Sequence, residues 1–414
     1  MAVLKLKRYP KKIGVGGAII TPYAKMLVNR VLDSGRISYG PMLRQFEEKF
    51  ARLCERKFAI SANSGTSALQ VALHALKEKD DWRDGDEVIV PAITFVATSN
   101  VVMQNGLKPV FVDVDPRTYH LDPAKIEAAI TPHTRAIMPV HLFGMSCDMD
   151  PIMAIARKHK LRVVEDSCEA VGVRYKGRPV GVLGDIACFS TYMAHLITTG
   201  VGGLALTNDA DLAVRMKSLV NHGRDSIYVS MDDDKGLKGK ARFEVVSKRF
   251  SFTSIGYSYR MTELEGALGI AELKTLKKNI KLRQRYATYL LRGMKQYERF
   301  LQLPWRPSDR EHAYMMFTMI IKDPRIMRDE LVAFLEDWNV ETRYMMPVIN
   351  QPVYVNMFGD LESKYPVAAN INHHGFYIGC HPEMDKKHLD YILAVFAAFF
   401  KKKGLIYDKH IKAP

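Results

Sequence analysis

The stretch FAISANSGTSALQVALHALK, residues 58–77, decides the fold class of this chain. Its first six residues are a short apolar run of strand length. Its last eleven, SALQVALHALK, carry leucine, valine and alanine at helical spacing. Between them, Ser64-Gly65-Thr66 makes the turn that takes a strand directly into a helix. Comparable apolar runs follow at EVIVPAIT (87–94), PVFVDVD (109–115), AIMPVHLF (136–143), LRVVED (161–166), IACFSTY (186–192) and GLALTN (203–208). These runs are nearly continuous rather than alternating, the pattern of strands buried on both faces of a parallel sheet. Helical stretches between them, such as DPIMAIARKHK (150–160), supply the crossovers. The expectation is an α/β fold, doubly wound, with a mostly parallel sheet between two helical layers.

Beyond the last run the pattern changes. Residues 222–256 are polar and too long for an ordinary loop, so they are expected to form a lid or an interface insertion. Thr262 and Glu265 then make a capping-box pair. Leu264, Leu268, Leu273, Leu276 and Ile280 mark a helix running towards residue 297. AYMMFTMII (313–321) and HLDYILAVFAAFF (388–400) belong to a second unit. The expected division is a large domain over 1–297 and a smaller α+β domain over 298–414.

Composition narrows the function. The chain has 414 residues, 47% hydrophobic and 25% charged, enough for two cores. No apolar run has the length of a membrane span, and the basic start MAVLKLKRYPKKIG lacks the apolar stretch of a secretory signal, so no membrane partner is expected. The five cysteines are scattered without metal-ligand spacing, so no metal and a reducing, cytoplasmic setting are expected. Lysine and arginine exceed aspartate and glutamate to give +15, clustered at 4–12, 274–285 and 401–403. No zinc finger, basic zipper or aromatic-studded RNA-binding strand accompanies that charge, so no nucleic-acid partner is expected. A solvated basic surface is the plain reading; an anionic metabolite would suit it.

Four separated pieces carry chemistry. The Ser64-Gly65-Thr66 turn opens a helix, where free N–H groups and close backbone approach suit a phosphate; an ordinary helix cap reads the same way. Glu165 and Asp166 end the LRVVED run, at the sheet edge where ligands bind; Asp166 could equally cap the next helix. Ser190 precedes His195 by five residues in FSTYMAH, and a Gly-rich turn follows; a core histidine is the alternative. Phe95 in PAITFVAT could stack on a flat cofactor or simply fill a core.

Taken in order, SGRISYGP (34–41), SANSGTSAL (61–69), PAITFVATSN (91–100), EDSCEAVG (165–172), FSTYMAH with TGVGG (189–203) and GYSYRMTELEGALG (256–269) resemble the DegT/DnrJ/EryC1/StrS sugar aminotransferase family. Its members are fold-type-I enzymes that use pyridoxal phosphate on nucleotide sugars. The resemblance implies that Gly65, Thr66 and Ser190 hold the cofactor phosphate and that Asp166 meets the pyridine nitrogen. It places Phe95 on the ring and Glu169 near the ring hydroxyl. It also implies a homodimer with the cofactor at the interface, where Ser258 stands in place of the family's usual asparagine. Position 195 would be the Schiff-base lysine, and here it is His195.

That exchange resembles the deoxysugar 3-dehydratase branch typified by GDP-4-keto-6-deoxymannose 3-dehydratase, as does GFYIGCHPEMD (375–385). YRMTELE and MMPVINQP are nearer the aminotransferases. The implied activity is removal of the C3 hydroxyl from a 4-keto-6-deoxy nucleotide sugar. Non-covalent pyridoxal or pyridoxamine phosphate would be the cofactor, glutamate would restore the amine form, and His195 would be the acid–base group. Amination without elimination, or a catalytically dead binding homologue, are the alternatives.

Overall fold

The computed structural model describes residues 6–225, 236–346 and 348–406. Strands β1 (Phe58–Ala62), β2 (Glu87–Pro91), β3 (Lys108–Val112), β4 (Thr134–Ile137) and β5 (Arg162–Asp166) come first; a short hairpin of β6 (Arg174–Tyr175) and β7 (Arg178–Pro179) precedes β8 (Ile186–Ser190) and β9 (Gly203–Thr207). All but the hairpin form one seven-stranded sheet in the order β1-β9-β8-β5-β4-β2-β3. Each of the seven apolar runs supplies one strand. β2, β8 and β9 are buried at every residue, which is why they do not alternate. β9 runs antiparallel to both neighbours and the remaining pairings are parallel.

The large-domain helices are α1 (Pro22–Ser34), α2 (Pro41–Leu53), α3 (Gly65–Lys79), α4 (Ala97–Gln104), α5 (Pro123–Ile126), α6 (Met149–His159), α7 (Ala210–Leu219), α8 (Gly239–Ser247) and α9 (Glu263–Met294). α3 is apolar on most of its circumference, and from Ser67 to Leu73 every residue is buried, as a central helix requires. α9 begins at the expected capping box, with Thr262 and Glu265 each bonding the other's backbone. Glu263, in its first turn, accepts the N–H groups of Met42 and Leu43 at 2.9 and 2.7 Å and so caps α2.

The second unit is an antiparallel sheet in the order β10 (Leu301–Gln302), β11 (Met316–Ile321), β13 (Gly375–Gly379), β12 (Thr342–Tyr344). Helices α10 (Arg328–Asp337) and α13 (Lys386–Lys402) pack against it. Its core joins Phe317, Phe376, Phe396 and Phe400 to Leu290 and Met294 of α9. A division at residue 297 leaves traffic in both directions. Ile13 lies in the small core and pairs with Val340. Residues of α11 (Pro352–Phe358) and α12 (Pro366–His374) join the large core, where Tyr354 bonds Ser99 and Asn100 and Asp113 accepts the N–H groups of Val367 and Ala368. Of the stretch read as a lid or insertion, residues 226–235 lie outside the described residues. The rest carries α8 and exposes Phe243, Phe250 and Ile255.

His120 and His312 are buried in this framework, and burial pulls each imidazole down to about 3. Both are neutral when folded, whereas an unfolded chain protonates them below about 6.5. Their contribution is therefore present above pH 6.5 and is lost as pH falls towards 3. His120→Gln should remove one such contribution. The stability advantage of the wild type over the variant should shrink as pH falls from 7 to 4, by up to about 1.4 kcal/mol per pH unit. Urea unfolding of both proteins across that range checks this; parallel curves would mean His120 is not held neutral.

Candidate functional site

The carboxyl ends of β1, β5 and β8 converge with the start of α3, the edge where α/β sheets bind ligands. Ser64 caps α3 with its side chain on the Ser67 N–H, so the earlier N–H groups of Gly65 and Thr66 precede the helical ladder. Gly65 packs against Ser190 and Cys168. A Cβ at position 65 would lie 2.7 Å from Ser190 Cβ and 2.9 Å from Cys168 Sγ. Gly65, Thr66 and Ser190, read separately from the sequence, thus form one cradle with N–H and hydroxyl donors and a positive helix end.

Asp166 ends β5 and is buried. Its carboxylate accepts the Thr98 hydroxyl at 2.8 Å and the Cys168 N–H at 3.2 Å, and among the described residues it has no ion-pair partner. Burial raises its pKa, against the pull of those donors. Thr98 in turn meets Thr94 at 2.7 Å. Glu169 is also buried and accepts the Phe143 N–H at 2.6 Å. Burial, with Asp166 nearby, pushes Glu169 up to about 8, so it holds a proton at neutral pH. The 141–145 turn that offers this N–H is unusual, because Phe143 has a φ of 57° without being glycine.

His195 sits midway round a loop closed at its neck. The Thr199 N–H donates to the Thr191 carbonyl at 2.8 Å, and the two hydroxyls meet at 2.6 Å. Gly202, with a φ of 143°, has no room for a side chain, since a Cβ there would approach Thr191 Oγ1 to 2.5 Å. From α9, Glu272 accepts the Thr198 N–H at 3.3 Å. The imidazole is half-buried, and its Nδ1 is fully buried without a hydrogen-bond partner among the described residues. Burial pulls the ring down to about 4, so it is neutral at physiological pH.

Phe95 leads into α4 and is 59% exposed; its carbonyl accepts the Thr98 N–H, which puts it one turn from the Asp166 partner. Ser258 stands apart from this group. It is exposed, paired with Asn221 and bonded to Arg260 at 2.8 Å. Sequence reasoning missed Thr98 and Cys168 although both lie inside quoted motifs, and it had no signal for the Phe143 N–H. A cavity of about 1270 Å³ opens at the opposite, amino edge of the sheet, among Asp80, Asp86, Arg135, Arg162 and Asp185. Two of its arginines are tied to its carboxylates, Arg162 to Asp80 and Asp185, and Arg135 to Asp86.

The model of the DegT/DnrJ/EryC1/StrS aminotransferase family matches residues 19–397. The chain is 36% identical over 359 residues to the GDP-perosamine synthase of Caulobacter vibrioides, covering 86% of this chain and 90% of that protein. It is 33% identical over 382 residues to the dTDP-4-dehydro-2,6-dideoxy-D-glucose 3-dehydratase of Saccharopolyspora spinosa, covering 89% and 82%. Among solved structures it resembles the E. coli GDP-4-keto-6-deoxy-D-mannose-3-dehydratase with bound hydrated PLP, at 27% identity and a TM-score of 0.84, covering 94% of this chain and 100% of that one.

The cradle predicts a specific coupling. Gly65→Ala drives a methyl into Ser190 and should destabilise by about 1–3 kcal/mol, the usual cost of overpacking. Ser190→Gly opens that space, so the double variant should be more stable than the sum of the two single losses. Thermal unfolding of the four proteins measures the coupling; strict additivity would place the two residues apart.

Proposed function

The chain belongs to the DegT/DnrJ/EryC1/StrS aminotransferase family, and from that premise we propose that it is a 3-dehydratase. It removes the C3 hydroxyl of a 4-keto-6-deoxy nucleotide sugar with pyridoxal or pyridoxamine 5′-phosphate held non-covalently and restored by glutamate. The observation that carries this reading is His195: a neutral imidazole with a buried, partnerless nitrogen, in the loop that follows Ser190. A buried polar atom left unpaired is costly, and at a sheet edge that binds ligands a bound group is one source of the missing partner.

The residues fit the cofactor. Gly65, Thr66 and Ser190 would hold the phosphate. Asp166 carries a buried carboxyl that only neutral donors touch among the described residues, and a protonated ring nitrogen would hold it as the carboxylate. Glu169, protonated at neutral pH, can donate towards a ring hydroxyl, and Phe95 offers an exposed ring face. When bound, pyridoxamine phosphate supplies the amine for the keto carbon and a ring that takes up electrons. His195 takes a proton on its unprotonated ring nitrogen and returns one to the departing C3 oxygen, which would otherwise leave as hydroxide. An imidazole in place of lysine cannot recapture the cofactor through a Schiff base, so the bound amine form persists.

A second reading, amination without elimination, is favoured by the Caulobacter vibrioides relative and by the family's aminotransferase members. Incubation with glutamate and 4-keto nucleotide sugars separates the two: ammonia and a 3-deoxy sugar, or a stable amino sugar. Borohydride treatment should leave the polypeptide mass unchanged. His195→Asn should retain cofactor and lose about 10²–10⁴-fold in turnover. His195→Lys should gain a borohydride-reducible link and lose dehydration. Wild-type turnover in His195→Asn would sink the acid–base role.

The same reading makes the enzyme a cytoplasmic homodimer. Phe243, Phe250 and Ile255 are 71%, 81% and 90% exposed, an apolar surface that a second copy would cover. Sedimentation at micromolar concentration should give a dimer or larger, and a fully active monomer would refute this.

A further inference from the structure

The basic charge at 274–285 has no part in the site described above. In α9 it is arranged rather than scattered. Between Glu272 and Glu298 the sequence contains no acidic residue and eight basic ones. Arg283 turns inward and donates to the carbonyls of Met315 and Cys380. Lys274, Lys277, Lys278, Lys281, Arg285 and Arg292 are all exposed. At about 100° per residue they fall within one third of the helix circumference, opposite the buried Leu276, Ile280, Ala287, Leu290 and Met294. From Lys274 to Arg292 the ridge is about 27 Å long at 1.5 Å per residue.

None of these six cations has an ion-pair partner among the described residues. The nearest carboxylate on α13, Asp390, bonds Tyr289 of α9 and is engaged by Lys386 of its own helix. At the other end the ridge continues onto α1. The Lys274 ammonium lies 4.3 Å over the Tyr23 ring. Arg30, two turns further along the same face of α1, is exposed and likewise unpaired among the described residues. Holding so many like charges in line is unfavourable unless counter-charge is supplied from outside.

We propose that this ridge docks the protein on an anionic lipid surface. The shape of the charge selects the partner. A row of cations along one exposed face of a single helix can meet a plane along its length, and a plane of lipid phosphates offers counter-charge at every point. A basic stripe also suits nucleic-acid phosphates, but the sequence carries no nucleic-acid-binding motif beside it and the six ridge positions offer no aromatic for stacking on bases. No helix among the described residues is long and apolar enough to cross a membrane, so the contact is peripheral. The face opposite the ridge is packed into the core, so the ridge is the face of α9 that a surface can reach.

The test uses the full-length protein and sedimented vesicles. Wild type should co-sediment with phosphatidylcholine vesicles containing 30 mol% phosphatidylglycerol at 0.1 M NaCl. It should not co-sediment with pure phosphatidylcholine, and it should be released at 0.5 M NaCl. Lys274→Gln/Lys278→Gln/Lys281→Gln should weaken binding about 100-fold, at about fivefold per lysine near a charged surface. Its turnover in solution and its melting temperature should match the wild type. Arg285→Gln/Arg292→Gln, at the other end of the ridge, should also weaken binding. Wild type left in the supernatant overturns the proposal. So does undiminished binding by both variants, or tighter binding to a 30-base-pair DNA duplex than to the anionic vesicles at the same salt.

Discussion

Two adjacent buried carboxylates at the end of β5 govern this structure. Successive strand residues face opposite sides of a sheet, so Glu165 and Asp166 cannot share surroundings. Glu165 is fully satisfied. It accepts the N–H groups of Gly181, Leu183 and Gly184, meets His141 Nε2 at 3.1 Å and lies 3.8 Å from Arg56. Burial alone would raise its pKa, but His141 and these donors hold it below the usual carboxylate range. Cys147 donates its N–H to His141 Nδ1, which leaves Nε2 to carry the proton towards Glu165. The same tie anchors the 141–147 turn, and that turn delivers the Phe143 N–H to Glu169. The structural carboxylate thus positions the backbone of the candidate site. Asp166, without an ion-pair partner among the described residues, is driven the other way, and a cationic ring would favour its charged form.

The sheet was legible because its strands are buried on both faces. A run such as IACFS needs no partner to be recognised, and each of the seven runs became a strand. Direction was not legible: GLALT is as apolar as its neighbours, yet β9 runs against them. Nor were the long-range exchanges in which Ile13 joins the small core and Tyr354 the large one. They depend on contacts between residues hundreds of positions apart, and no local period encodes these. Within the site, residue types announced the ends of strands and the start of α3. They did not announce the Thr98 hydroxyl, whose aim depends on the phase of α4. The Phe143 N–H had no signal at all, because a left-handed backbone at a phenylalanine contradicts the local preference that sequence reasoning uses.

His195 shows why burial, rather than residue identity alone, sets the chemistry of the loop. An exposed imidazole would be partly protonated near neutrality. Here burial keeps it neutral, with one nitrogen free to accept a proton. A phosphate held in the adjoining Gly65–Ser190 cradle would add negative charge and draw that pKa back up. The loop is rigid at its neck through Thr191 and Thr199, and Glu272 fixes its descending side from α9. The same helix therefore braces the histidine loop with one face and presents the basic ridge with another.

Charge is sorted by the two edges of the sheet. At the amino edge, Arg162 grips Asp80 through two nitrogens at 2.7 and 2.9 Å and reaches Asp185, while Arg135 grips Asp86 at 2.9 and 3.1 Å. The cavity there is roomy, but these carboxylate–arginine contacts are already made, and a ligand binding at them would have to displace them. Such half-exposed pairs add little stability, yet they neutralise that surface. At the carboxyl edge, among the described residues, Asp166 lacks a counter-charge and His195 Nδ1 is unpaired, beside the helix start at Gly65 and Thr66. Each of these is unfavourable in isolation, and together they match an anionic group at one end and a cationic ring at the other. Volume favours the amino edge; unsatisfied polarity favours the carboxyl edge, and binding free energy follows the second.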